Sequence, residues 1–287
     1  MAKMMIDFPP GTQFEFDQPT VLTVIECVYR SDQSGRALYK VHDSNVGLVY
    51  ALKVFLIGDG QSIESIRREV VALNRQIQHP DRLPRVRSIQ LADRLAFVLM
   101  DWMDGVPLDA VTKGTPAVSR EDAVLRLGFA AELCRTVGYL HQTRTLHRDL
   151  KPQNVLARDA RNQRAGVSVL DLGLSVQKRG PVEEGTMGYA APEQTGQRNL
   201  NLGPQTDVFG VGQVLCFLLL GEPLTLYPDD SMRKWSVDVT DLLRTRLHSA
   251  VPEPVAALIG RCLALVPEQR PADARALQRF VEASTRK

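Results

Sequence analysis

Cysteine is scarce and scattered in this 287-residue chain, with four residues at Cys27, Cys134, Cys216 and Cys262 and no C-x-x-C pair. Disulfide scaffolds and structural zinc sites need closely spaced thiols, so neither is expected. Each cysteine sits among apolar neighbours and reads as a small buried hydrophobe in a reducing compartment. Long apolar runs are also missing. The most apolar segment, VFGVGQVLCFLLLG from Val208 to Gly221, is too short to span a bilayer and contains Gln213, which points to a buried core helix. The N-terminal MAKMMIDFPPG has no apolar run of signal-peptide length. Charge of one sign is not in excess either: the formal net charge is +2. That gives no support to a nucleic-acid partner or a polybasic membrane contact. The expectation is a cytoplasmic protein with no membrane segment.

What is present is ordinary globular material, 44% hydrophobic and 24% charged, in a length that suits one large domain or two packed lobes. The first hundred residues are rich in β-branched and aromatic runs, TVLTVIECVY, LVYALKVFLI and RLAFVLMDW, which predict strands. Among them SIESIRREVVALNRQI places Ile63, Ile66, Val70, Leu73 and Ile77 on one helical face and ends near Pro80. After Met103 the pattern changes. Ser119 with Asp122 predicts a capped helix start, followed by the stripe Leu125, Phe129, Leu133, Val137 and Leu140. Further helices are predicted over 208–220, 255–265 and 272–283. A small β-rich lobe followed by a larger helical lobe is therefore expected, without internal repeats or low-complexity tracts.

The stretch LHRDLKPQNVL, Leu146 to Leu156, packs charged and amide groups between apolar residues. Phosphoryl transfer to a hydroxyl needs a carboxylate to orient the nucleophile, oxygen ligands for Mg²⁺ and a cation against the phosphate. Asp149, Asn154 and Lys151 are the right types for those tasks; a charged turn closed by its own salt bridges is the plainer reading. Asp171, in SVLDLGLS, follows a strand-like run and suits a metal ligand. Lys53, inside the apolar YALKVF, suits a phosphate grip held by a carboxylate, or else a lysine snorkelling at a sheet edge. Glu69 is the preferred partner because Leu73 continues its apolar face; Glu64 is the alternative.

These segments together resemble the eukaryotic-type (Hanks-type) protein serine/threonine kinases, in a bacterial-like form, over roughly Thr20 to Glu282. The resemblance extends to GTMGYAAPEQ, whose Ala191-Pro192-Glu193 matches the A-P-E triplet. It includes TDVFGVGQVL, whose Asp207 would anchor the catalytic-loop backbone, and LVPEQRPAD, whose Arg270 would pair with Glu193. It implies an α+β, bilobal fold: a small antiparallel sheet with one main helix over residues 20–102 and a mainly helical lobe over 103–283, after an N-terminal extension of residues 1–19. It implies ATP with Mg²⁺ or Mn²⁺ as cofactors and protein substrates as partners, and homodimers through one lobe are frequent among such kinases. It assigns Lys53 to the nucleotide phosphates with Glu69 as its partner. Asp149 becomes the base, Lys151 the cation at the transferred phosphate, and Asn154 and Asp171 the metal ligands. Thr186 would hydrogen-bond Asp149 and Lys151. Met100 stands at the gatekeeper position, and the backbone from Asp101 to Met103 would read adenine.

Two departures stand out. In SDQSGRAL, Ser31, Gln33 and Arg36 occupy the three glycine positions of the phosphate-covering loop, and Gly35 is displaced by one. Glycine there lets backbone approach phosphate closely; Arg36 would instead offer a guanidinium to it. The other is the metal-ligand triplet, which reads D-L-G, with Leu172 as its apolar plug. Between Asp171 and Glu193 the hydroxyl side chains besides Tyr189 are Ser175 and Thr186, while Glu183 and Glu184 offer permanent negative charge to Arg148. The glycine-poor loop also motivates a second reading, a pseudokinase acting as a binding or scaffold module. A third is a small-molecule kinase of related fold, against which APEQ and Arg270 argue.

Overall fold

The computed structural model describes residues 6–16, 20–31, 35–57, 63, 66–67, 70–71, 74, 79–172, 188–195, 202–229, 231, 234–235 and 237–285. The chain divides into two compact units, residues 1–80 with 84–103, and residues 81–83 with 104–287.

The first unit is built on a six-stranded antiparallel sheet. Its strands are β1 (Gln13–Phe16), β2 (Thr20–Ser31), β3 (Arg36–Asp43), β4 (Leu48–Leu56), β5 (Val86–Ala92) and β6 (Leu95–Asp101), in the order β1-β2-β3-β4-β6-β5. The three strand-rich runs of the sequence become β2, β4 and β6. Alternation in β3 buries Ala37, Tyr39, Val41 and Asp43 on one face. That face carries the core of Leu22, Val24, Tyr39, Leu52, Val54 and Leu99. Residues 6–16 cover it: Ile6 is buried in this core, and Phe8 and Phe14 pack edge-on against each other with their centroids 4.8 Å apart. The Tyr39 hydroxyl donates to Ile6 O and accepts from the Phe8 amide, at 3.3 and 3.2 Å.

Cys27 departs from expectation: it is exposed, whereas Cys134, Cys216 and Cys262 are buried. The cause lies in β2. Its register slips between Val24 and Glu26 and again between Cys27 and Tyr29, so the alternation fails and residues 25–30 all face solvent. In the predicted helix, Ile66 and Val70 are buried but Ile63 is exposed, while Leu73 and Ile77 lie outside the described residues.

The second unit contains helices α1 (Leu108–Thr112), α2 (Arg120–Gln142), α3 (Pro204–Leu220), α4 (Val239–Arg246), α5 (Pro254–Cys262) and α6 (Ala274–Thr285). A small sheet, β7 (Val106–Pro107), β8 (Val155–Ala157) and β9 (Val167–Val169), pairs in that order. Ser119 caps α2 as predicted, its hydroxyl accepting from the Asp122 amide at 3.1 Å. α3 starts at Gly203-Pro204 and stops at Gly221, and nearly all its side chains are buried. Gln213, buried mid-helix, is paired on both polar atoms: its amide nitrogen donates to Leu224 O at 2.9 Å, and its Oε1 accepts from Leu224 N at 2.8 Å. Among the described residues no helix is long and apolar enough to cross a membrane.

Candidate active site

In the second unit, the segment from His147 to Asp149 is held by a set of hydrogen bonds to its backbone and to the His147 ring. Asp207, on the first turn of α3, sends Oδ2 to the His147 amide at 2.9 Å and Oδ1 to the Arg148 amide at 2.7 Å. His141 Nε2 donates to the same Oδ2 at 3.0 Å, while its Nδ1 accepts from the Ala274 amide at 3.3 Å. Those two partners fix the neutral Nε2–H tautomer. Burial alone would push the Asp207 carboxyl up. The hydrogen bonds from the His141 ring and the Arg148 amide outweigh it and hold the group below its usual value.

His147 is fully buried and works inside the loop. Its Nδ1 accepts from the Asp149 amide at 3.2 Å, so Nε2 carries the proton and donates to Leu170 O at 2.8 Å. That bond ties the loop to the residue after β9. Arg148 sits at φ +68° and Asp171 at φ +58°. Left-handed backbone at a non-glycine residue costs roughly 1–3 kcal/mol and persists only when its surroundings over-determine it.

Asp149 receives two cationic or amide donors on one oxygen. Lys151 Nζ and Asn154 Nδ2 each approach Oδ2 at 3.2 Å, and Asn154 Nδ2 also donates to Asp149 O at 2.9 Å. The expected trio is therefore assembled around one carboxylate. With its nitrogen so engaged, Asn154 keeps Oδ1 as the atom for an ion. The hairpin of β8 and β9 sets Asn154 and Asp171 at the same end: Val155 pairs with Val169, and the Leu170 amide donates to Asn154 O at 2.8 Å. Among the described residues no three His, Cys, Asp or Glu side chains cluster for a metal. An amide oxygen with a carboxylate is nonetheless the hard, all-oxygen donor set that Mg²⁺ takes, with water and phosphate completing its shell.

The predicted Glu193–Arg270 pair is present and fully buried. Arg270 Nη1 and Nη2 meet Glu193 Oε1 and Oε2 at 2.7 and 3.0 Å, a bidentate fork. The Thr206 hydroxyl donates to Glu193 Oε1 at 2.9 Å, and Arg270 Nε donates to Ala264 O at 2.8 Å. Sequence reasoning overlooked Gln194, the next residue, whose Nε2 donates to Arg148 O at 2.7 Å. Its only sequence signal was its place in the A-P-E-Q run.

In the first unit, residues opposite one another in an antiparallel sheet share a face. Lys53 lies opposite Leu38 and Val98, Arg36 opposite Phe55, and Met100 opposite Ala51. Arg36, Lys53 and Met100 thus share the face away from the Tyr39 core. The Arg36 guanidinium and the Lys53 ammonium both lie against the Phe55 ring, 5.7 and 5.4 Å from its centroid. The Asp101 side chain pairs with Arg87, and its amide donates to Arg85 O at 2.9 Å. Glu69, Thr186, Gln33, Glu183 and Glu184 lie outside the described residues, as does the alternative Glu64.

A family model described as the protein kinase domain matches residues 33–281. Among curated proteins, the chain is 25% identical to serine/threonine-protein kinase pkn3 of Myxococcus xanthus over 264 residues, which are 86% of this chain and 47% of that protein. It is 28% identical to serine/threonine-protein kinase DCLK2 of Homo sapiens over 184 residues, 63% of this chain and 23% of that one. These matches cover less than half the length of either relative. The family model takes in the catalytic loop, the Asp207 anchor and the Glu193–Arg270 pair alike, and the chain belongs to the protein kinase domain family, as a Hanks-type, bacterial-like member.

Proposed function

We propose that the chain transfers the γ-phosphate of ATP to serine or threonine hydroxyls of protein substrates, its own included. The observation that carries this reading is the convergence of Lys151 and Asn154 on Asp149 Oδ2. Two donors on one oxygen fix the carboxylate's orientation, so it can hold a substrate hydroxyl and take its proton. Lys151 stands beside it as the cation for the transferred phosphate. Asn154 Oδ1 and the Asp171 carboxylate would hold Mg²⁺ or Mn²⁺. Such an ion, when bound, neutralises charge building on the phosphate oxygens.

Lys53 and Arg36 supply cations to the nucleotide phosphates, with Glu69 the proposed partner of Lys53 and Thr186 the proposed partner of Asp149 and Lys151. Met100 borders the adenine, which the backbone of Asp101 and Met103 reads. The Asp101 amide is committed to Arg85, so its carbonyl is the group for that contact. A cytoplasmic setting, protein substrates and a second copy of the chain belong to the same reading.

The test is transfer of radiolabelled phosphate from ATP to generic protein acceptors. Asp149→Asn should slow transfer roughly 10²–10⁴-fold, the range for a positioned acid or base. The second reading, a pseudokinase scaffold, draws on Ser31 and Arg36 standing where glycine is usual. Absence of transfer with intact partner binding would favour it.

A further inference from the structure

The peptide unit between Arg148 and Asp149 is gripped at both ends. Its N–H, from Asp149, donates to His147 Nδ1 at 3.2 Å. Its carbonyl, from Arg148, accepts from Gln194 Nε2 at 2.7 Å. The Gln194 amide cannot be flipped, because its Oε1 accepts from the Ala191 amide at 3.0 Å. Gln194 is itself buried. One side chain thus spans two elements: with one atom it closes the turn of residues 191–194, and with the other it fixes the plane from which Asp149 projects.

We infer that Gln194 is a positioning residue for Asp149, coupling the 191–194 turn to the catalytic loop. The inference rests on the proposal that Asp149 serves phosphoryl transfer. The physical need is visible in the backbone. Arg148 holds φ +68°, a conformation a non-glycine residue leaves when released. Asp207 holds the amide side of Arg148 and Gln194 the carbonyl side. Losing the second grip lets the peptide plane rotate about ψ of Arg148 and swings the Asp149 side chain with it. Asp149 Oδ2 then leaves the geometry set by Lys151 and Asn154. The contacts proposed for Lys53, Arg36 and the Asp101 backbone do not include this plane, so the effect falls more on kcat than on KM for ATP.

The experiment compares wild type, Gln194→Met and Gln194→Glu. Peptide phosphorylation is followed between about pH 6 and 8, where a buried carboxyl can titrate, together with amide hydrogen exchange across residues 147–149. Gln194→Met keeps the length and removes both hydrogen-bonding groups. It should lower kcat roughly 10- to 100-fold, as small misplacements of reacting groups do, leave KM for ATP within about twofold, and speed exchange of the Asp149 amide. Gln194→Glu still accepts from the Ala191 amide. Its carboxylate cannot donate to Arg148 O, but its protonated form can. Its kcat relative to wild type should therefore rise as pH falls, a dependence that loss of packing alone does not produce. Unchanged kcat and exchange in Gln194→Met, or a Gln194→Glu profile parallel to wild type, overturns the inference. If Gln194→Met does not fold, the Gln194→Glu profile decides. If wild type transfers no phosphate while both variants still loosen the Asp149 amide, the catalytic reading falls and the positioning role stands.

Discussion

Asp207 and Arg148 meet through a 2.7 Å bond from the Arg148 amide to Asp207 Oδ1, which ties a helix in the core to the strained residue before Asp149. The same carboxylate accepts the His147 amide and the His141 Nε2–H, so Asp207→Ala strands three donors. Each unsatisfied buried group costs about 1–3 kcal/mol. Asp207→Ala should lower the urea midpoint accordingly and lower phosphate transfer with it. The pH dependence follows from the depressed carboxyl. A group whose folded pKa lies below its unfolded one adds stability above the unfolded value, about 4 for aspartate, and loses it as pH falls through the folded value. Asp207→Asn should flatten that acid limb of the stability–pH curve. An unaltered limb would remove Asp207 as its source.

Arg270→Ala should destabilise the protein by roughly 3–5 kcal/mol, because it leaves the Glu193 carboxylate buried and unpaired. Denaturant unfolding measures this directly. Arg270→Lys should recover only part of the loss, since an ammonium cannot reproduce the two parallel bonds of the guanidinium. Recovery to wild type would mean that charge alone matters at this site.

Much of this was legible beforehand for a physical reason: catalytic-loop chemistry is compressed into a few neighbouring residues. Asp149, Lys151 and Asn154 lie close together in the chain, so the sequence brings the right residue types near one another, while their meeting on one oxygen is seen only in the structure. The long helices were readable because α2 has a clear start signal at Ser119 and α3 is almost wholly apolar from Val208 onward. Exposed Cys27 was not readable, because a register slip in β2 has no local signature beside apolar neighbours. Short α4 was missed because only Val239 and Leu243 are buried on it, too few for a periodic stripe. Gln194 was missed because its partner, a backbone carbonyl, leaves no trace in sequence.

Tyr39 links the N-terminal segment to the sheet through its hydroxyl, so Tyr39→Phe should cost about 0.5–1.5 kcal/mol, the usual net value of such a bond. Removing residues 1–16 should cost more, since it uncovers a core face holding Leu22, Val24 and Leu52. Burial raises the Tyr39 hydroxyl above its ordinary value, despite the opposing Phe8 hydrogen bond. The stability tied to the neutral phenol is complete below the unfolded value near 10 and is lost as pH rises through the folded one. Tyr39→Phe should therefore weaken the alkaline loss of stability, read as thermal midpoints between about pH 9 and 11. Identical slopes in the two proteins would exclude Tyr39 from the alkaline transition.

Arg36 and Lys53 both lie against the Phe55 ring on the sheet face that also carries Met100. In a glycine-rich loop, backbone amides close over phosphate. Here Ser31 and Arg36 put side chains at glycine positions, and Arg36 is already the first residue of β3. A strand residue keeps its direction better than a loop residue, so its guanidinium can be pre-aimed; stacking on Phe55 restricts it further. In the proposed site, two cations held by one ring would replace part of what the amides supply. Arg36→Ala should weaken ATP binding roughly tenfold or more, the scale of one charge-assisted hydrogen bond, and should weaken ADP binding less if the guanidinium reaches the terminal phosphate. Ser31→Gly should change little. If Asn154 and Asp171 hold the ion as proposed, titrations with and without Mg²⁺ should show strong metal dependence in wild type. Arg36→Ala binding ATP as tightly as wild type would assign Arg36 to packing on Phe55 alone. Failure of wild type to bind ATP at millimolar concentration with either Mg²⁺ or Mn²⁺ would turn the chain's reading to a scaffold.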